Sequence, residues 1–201
     1  MRQGIEERAI VYCENAFRST NGKTAHGLVR RSRRYRILSI IDSTCVGKDA
    51  GDLLDGKPAG IPFHASLEAA LDDAERRGAE ATHLIVGLAP DGGRLPTSAR
   101  DVVRRAVDAG LHAVSGLHDF VGDDPELAER ARRSGVTLTD VRRTPPRESL
   151  HFFTGDIEDV GSTRVAVLGT DSAVGKRTTA WMLVDALIEH GQPSQTVIDF
   201  E

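Results

Sequence analysis

The sequence predicts an α/β protein with a mainly parallel sheet, followed by the beginning of a second α/β unit built on a phosphate loop. Three observations predict it. Short β-rich runs alternate with amphipathic helical segments up to residue 140, the pattern of βαβ units. A valine-rich run then enters a glycine loop ending in Gly175-Lys176 and a long apolar helix. With 39% hydrophobic and 28% charged residues in 201, the chain can bury a core without disulfides or a structural metal.

The β-rich runs are 9–13, 37–41, 82–87, 112–115 and 136–140. Between them the helix signals are local. Ser66 precedes Leu67, Ala70, Leu71 and Ala74 on one face, and Gly78 ends the segment. Ser98 is expected to open a helix carrying Val102, Val103, Ala106 and Val107, closed by Gly110. Asp124-Pro125-Glu126 starts another, because proline suits the first helical position and acids favour the first turn; it runs to Gly135.

Residues 142–162, with Pro145, Pro146, Gly155 and Gly161, hold no sustained period. The expected organisation is a Rossmann-like domain over 1–145, a linker over 146–162 and the start of a P-loop domain over 163–201. A further strand is expected at 196–199, with Asp199 near its end. One helix and one strand do not complete a nucleotide domain, so the expectation is a fragment whose P-loop domain is truncated.

The strongest chemical signal is Gly169-Thr170-Asp171-Ser172-Ala173-Val174-Gly175-Lys176-Arg177-Thr178. A buried strand is expected before it, so that loop amides and the helix N-terminus face phosphates while Lys176 reaches their oxygens. An ordinary tight strand-to-helix turn is the plain alternative, and two departures from G-x-x-x-x-G-K-[ST] bear on it. Thr170 stands where the first glycine belongs, with Gly169 one residue earlier, and Arg177 takes the position of the magnesium-binding hydroxyl. Arginine cannot ligate a cation, so magnesium would need Thr178 or another group. Phosphate binding is therefore better supported than hydrolysis.

Only four of the 26 basic residues are lysine, and Lys23, Lys48, Lys57 and Lys176 each follow a glycine, a placement that suits anion contacts beside exposed backbone amides. In the first half, Asn21-Gly22-Lys23-Thr24 falls at an expected strand-to-helix turn, and Asp42 ends the next strand twenty residues after Gly22. This spacing is Rossmann-like but lacks G-x-G-x-x-G, so a turn glycine and a helix-capping acid are equally consistent with it. Ligands of parallel sheets collect at the carboxyl ends of strands, where Arg94 and the neighbours His118 and Asp119 lie. His118-Asp119 is a candidate general base, or a pair that only stabilises its loop.

Several strings together carry a resemblance: Asn21-Gly-Lys-Thr-Ala-His-Gly-Leu, Ile41-Asp-Ser-Thr, Gly47-Lys-Asp-Ala-Gly, Asp55-Gly-Lys-Pro, Gly92-Gly-Arg-Leu-Pro, Ser115-Gly-Leu-His-Asp-Phe and the loop from Gly169 to Lys176. The chain resembles a bacterial and archaeal domain-of-unknown-function family with a Rossmann-like N-terminal and a P-loop C-terminal domain. The loop alone is also similar to that of dethiobiotin synthetase. Some members of the family are D-glutamate N-acetyltransferases, so the resemblance implies acetyl-CoA as cofactor and a D-amino acid as acceptor. Under that implication Gly175, Lys176 and Thr178 bind cofactor phosphates, His118 or Asp119 takes the amine proton, and Arg94 pairs with a substrate carboxylate. The rivals are an ATP-dependent ligase or kinase and a nucleotide-binding regulatory protein without turnover.

Other classes find little support. A formal net charge of −4 gives no pull toward nucleic acid or anionic membrane, and the arginines at 30–36 sit where a helix end is expected. No apolar run approaches the roughly 20 residues of a membrane span, and the N-terminus is charged, so a cytoplasmic protein is expected. Cys13 and Cys45 lack metal-site spacing and read as buried thiols. The partner expected is a small-molecule substrate, with self-association left open.

Overall fold

The computed structural model describes residues 7–159, 161, 163, 165–171 and 174–191. The chain divides into two units, 1–146 and 147–201. In unit 1 the order is β1 (Glu7–Tyr12), α1 (Lys23–Arg30), β2 (Tyr35–Ile41), α2 (Ala50–Asp55), β3 (Phe63–His64), α3 (Leu67–Arg76), β4 (His83–Val86), α4 (Thr97–Asp108), β5 (His112–Ser115), α5 (Pro125–Ser134) and β6 (Leu138–Asp140). The strands form one parallel sheet in the order β3-β2-β1-β4-β5-β6. This is the Rossmann-like arrangement expected from the alternation. Right-handed crossovers place α1 and α2, which touch, on one face, and α3, α4 and α5 on the other.

Burial on both faces explains why the central strands are nearly continuous apolar runs. Ala9, Ile10, Val11, Ile40, Ile41, Leu84 and Val86 are all at most 2% exposed. The helices close on this sheet with Leu67 and Ala70 of α3, Val103, Ala106 and Val107 of α4, and Leu127 of α5. The β1–β2 register slips between Ala9 and Ile10, so Leu38 is an extra residue in β2; its carbonyl accepts from the Arg77 guanidinium at 3.0 Å.

The local signals hold at two helix starts. Ser66 accepts from the Ala69 amide at 3.2 Å, and Asp124 accepts from the Glu126 and Leu127 amides with Pro125 at the first position. They fail at a third. Helix α4 begins at Thr97 behind Pro96 with no side-chain cap, and the Ser98 hydroxyl instead faces the Tyr12 phenol at 3.4 Å. Proline lacks an N–H and suits the entry to a helix, which places the start one residue before the serine. Two elements went unanticipated: β3 has only two residues, too few to show a period, and α2 has six. Asp49 organises that segment by accepting from the amides of Gly51, Asp52, Ala59 and Ile61 at 2.7–3.1 Å.

Unit 2 is dominated by α6 (Lys176–Glu189). The buried strand expected before the glycine loop is corrected: residues 165–169 are in no strand, and Val165 and Leu168 are 68% and 86% exposed. A strand needs neighbours to pair its backbone groups, and no strand lies among the described residues of this unit. The strand expected at 196–199 lies outside the described residues.

Candidate functional site

The carboxyl ends of the strands in unit 1 bring most of the candidate residues of that unit to one edge of the sheet, and connections leave β1 and β4 there on opposite faces. In open parallel sheets this switch point is where ligands enter. After β1 the chain makes a short 3-10 turn, Thr20–Gly22, and starts α1. Gly22 is buried, and a Cβ there would lie 2.7 Å from the Ala16 carbonyl oxygen and 2.9 Å from the Phe17 Cα, so only glycine fits. The Lys23 amide donates to Thr20, and the Ala25 amide donates to the Gly87 carbonyl at 3.2 Å. These first-turn donors bind the protein's own backbone, while the Lys23 and Thr24 side chains are exposed. The geometry is that of a turn glycine seating α1 against β4.

Asp42 resolves in the same direction. It is fully buried and accepts from the Phe17 amide, the Thr44 amide and the Thr44 hydroxyl at 2.6–3.0 Å. It is a capping acid that ties the β1 loop to the β2 loop, with no lone pair turned to solvent. Cys13, next to it, is also excluded as a nucleophile, because burial pushes its thiol up to about 12.

Arg94, His118 and Asp119 are brought together by two hydrogen bonds between the loops after β4 and β5. The His118 amide donates to the Gly93 carbonyl at 2.8 Å, and Asp119 accepts from the Leu95 amide at 3.0 Å. The His118 ring lies against Gly93, where any side chain would overlap it. His118 and Asp119 therefore form no mutual dyad. Asp119 holds the loop, the His118 ring has no hydrogen-bond partner among the described residues, and the exposed Arg94 guanidinium has no ion-pair partner among them. At the same edge, the cleft beneath Tyr12 went unnoticed in the sequence. Its only signal was one of two tyrosines standing at the end of a strand.

In unit 2, Gly175 is left-handed (φ 93°) immediately before α6, and no side chain caps that helix. The Lys176 ammonium donates to the Asp171 carbonyl at 2.6 Å, folding back over its own loop. Gly169 approaches so closely that a Cβ would come within 2.8 Å of Val174 and 3.1 Å of the Lys176 side chain. Thr170 and Asp171 are exposed, as are Arg177 and Thr178 in the first turn of α6; Ser172 and Ala173 lie outside the described residues. The left-handed glycine, the lysine turned over the loop and the uncapped helix start fit a phosphate group. No set of three or more His, Cys, Asp or Glu residues suited to a metal ion occurs among the described residues, and no described helix is long and apolar enough to cross a membrane.

Comparison with known proteins agrees with this division. Residues 43–144 match a domain of unknown function described as the Rossmann-like domain DUF1611_N, and residues 151–198 match its P-loop counterpart. The crystal structure of a DUF1611 family protein from Anabaena variabilis superposes with a TM-score of 0.76 at 29% identity, covering 92% of this chain and 50% of that one. An amine dehydrogenase from Mycobacterium smegmatis, at 21% identity and TM-score 0.51 over 70% of this chain and 40% of its own, shares the fold alone. A D-glutamate N-acetyltransferase from Tritonibacter scottomollicae is 35% identical over 113 residues, 56% of this chain. One from a Pseudoalteromonas species is 31% identical over 117 residues, 58% of this chain. The chain spans about a third of the length of those two relatives (32% and 33%). Its Rossmann-like sheet and its glycine loop, each matched in its own unit, make this chain a member of the DUF1611 family.

Proposed function

We propose that the protein is an acetyl-CoA-dependent N-acetyltransferase acting on D-glutamate or a similar D-amino acid. The observation that carries this is identity of 35% and 31%, over more than half of the chain, to two proteins that bear that name. Acetyl-CoA, when bound, supplies an acetyl group activated as a thioester and a pyrophosphate for a basic loop to hold. Within unit 2, Gly175, Lys176 and Thr178 are the residues to hold those phosphates, and Gly169 keeps the loop close to the lysine stem. Arg177 in place of a metal-binding hydroxyl suits an anchor that performs no hydrolysis.

Within unit 1, His118, whose ring has no hydrogen-bond partner among the described residues, is the group to take the proton that the attacking amine must lose, and Asp119 keeps its loop in place. Arg94, exposed and without an ion-pair partner among the described residues, is suited to a substrate carboxylate. In the overall reaction a C–N bond forms, the thioester C–S bond breaks, and the amine proton passes by way of the base to the departing thiolate, which leaves as the thiol.

The test is thiol release from acetyl-CoA on addition of D-glutamate, with and without ATP. Release that needs no ATP, together with acetyl-CoA binding weakened roughly 10- to 100-fold by Lys176→Ala, supports the reading; that range corresponds to the ~1.5–3 kcal/mol of a charged hydrogen bond. ADP formation without thiol release would replace it with an ATP-driven ligase or kinase, which the P-loop match also suits. Saturable nucleotide binding with no product would point to a regulatory binding protein.

A further inference from the structure

A second feature of unit 1 lies at the same edge of the sheet, on the face that carries α3 and α4. Helix α3 packs on β2 and β3, α4 packs on β4 and β5, and the end of β1 lies between them, with Ser98 of α4 facing Tyr12. The result is a cleft of about 270 Å³ beneath Tyr12. It opens at the switch point of the sheet, where the general rule for parallel α/β folds places ligands. Its volume falls below the roughly 300–1,000 Å³ of sites for drug-sized ligands, so a single small metabolite fits it better than a nucleotide.

The lining has a definite chemistry. Tyr12 is 3% exposed, and among the described residues its hydroxyl has only the long 3.4 Å contact with Ser98. A buried hydroxyl held this weakly has hydrogen-bonding capacity to offer a ligand. Glu14 and Asp101 bring two carboxylates to the walls and Arg105 brings one guanidinium. Each is already engaged: Glu14 accepts from the Ser43 amide at 2.9 Å and from its hydroxyl, Asp101 pairs with Arg104 at 2.7 Å, and Arg105 pairs with Glu68 at 2.6 Å. The two ion pairs are about half-exposed, and such pairs contribute only ~0–1 kcal/mol, so a ligand can compete for them. Two acids close to the wall disfavour a phosphate and favour an ammonium.

We propose that this cleft binds a free amino acid, with its ammonium at Glu14 and Asp101 and its carboxylate at Arg105 and the Tyr12 and Ser98 hydroxyls. The choice of D-glutamate as that amino acid rests on the function proposed above, whose acceptor groups, His118 and Arg94, are not part of this cleft. The binding itself rests on the cleft.

Calorimetric titration of the 201-residue protein, without acetyl-CoA, with D-glutamate, L-glutamate, D-alanine and glutarate tests both parts. Glutarate lacks the ammonium. The expected result is saturable binding of D-glutamate and none of glutarate, with affinity reduced at least 10-fold by Glu14→Gln and several-fold by Tyr12→Phe. Glu75→Gln, on the exposed side of α3, is the control, and circular dichroism verifies that every variant is folded. Should D-alanine or L-glutamate bind in place of D-glutamate and respond to the same variants, the cleft stands as an amino-acid site and D-glutamate is removed as its ligand. D-Glutamate binding untouched by Glu14→Gln and Tyr12→Phe overturns the cleft while leaving the acetyltransfer reading intact. Failure of every amino acid to bind overturns the cleft as well.

Discussion

Unit 1 and unit 2 both start from an apolar run leading toward a glycine turn and a helix, and they end differently. In unit 1, β1 is flanked by β2 and β4, covered on both faces, and its residues 9–11 are inaccessible to solvent. In unit 2, Val165, Leu168, Val174 and Met182 are 54–86% exposed, and Val184 is the only apolar side chain of the described residues that is buried. Local sequence is sufficient for a glycine loop and a helix, whose backbone bonds close within a few residues. A strand has no such independence, because its hydrogen bonds and its apolar faces need other segments. The buried core accordingly lies in unit 1, whereas the glycine loop of unit 2 stands on local backbone geometry.

The sharpest way to break this contrast is to shorten one leucine in each unit. Leu84→Ala, in the middle of β4 with no exposed surface, is expected to lose about 2–5 kcal/mol in urea unfolding. Leu168→Ala, 86% exposed, is expected to stay within about 0.5 kcal/mol. Equal losses would mean that unit 2 has a core of its own.

Asp42→Ala comes next, since it strands the Phe17 amide and the Thr44 donors beneath a closed surface; the expected loss is about 3 kcal/mol by chemical denaturation. If Asp42 instead served a ligand in solution, its removal would change binding and leave stability intact.

Asp49 gives a pH-dependent version of the same test. Burial alone would raise its pKa, but the four backbone amides outweigh that and hold the carboxyl below the usual range. Because its folded pKa lies below the unfolded value of about 3.9, its contribution is fully present above about pH 4 and is lost as pH falls through the folded pKa. Unfolding measured from pH 6 down to pH 2 should show a steeper loss in the native chain than in Asp49→Asn. The smallest effect is expected at Ser39, whose buried hydroxyl has no partner among the described residues. Ser39→Ala should be neutral or stabilising by up to about 1 kcal/mol, read from the same denaturation curves.

Much of unit 1 was legible because its signals are local. Asp124-Pro125-Glu126 and Ser66 mark helix starts with groups that act within three residues, and the apolar runs of β1, β2, β4 and β5 stand out between the helical segments. Ser98 misled because a serine near a helix start looks the same whether it caps the helix or faces another strand. The glycine loop and the neighbours His118-Asp119 were visible as strings, but the division of labour between His118 and Asp119 was not. That depends on Gly93 and Leu95, more than twenty residues away in the chain.

By itself the sequence determined the alternation of strands and helices, the glycine loop before Lys176 and the family to which these strings belong, since each is written in neighbouring residues. Only the tertiary structure decided that Asp42 turns inward, that Asp49 gathers amides ten and twelve residues ahead, and that Tyr12, Glu14 and Asp101 wall one cleft between α3 and α4. Those relations join groups distant in sequence, and their geometry is set by the strand order of the sheet and the handedness of its crossovers.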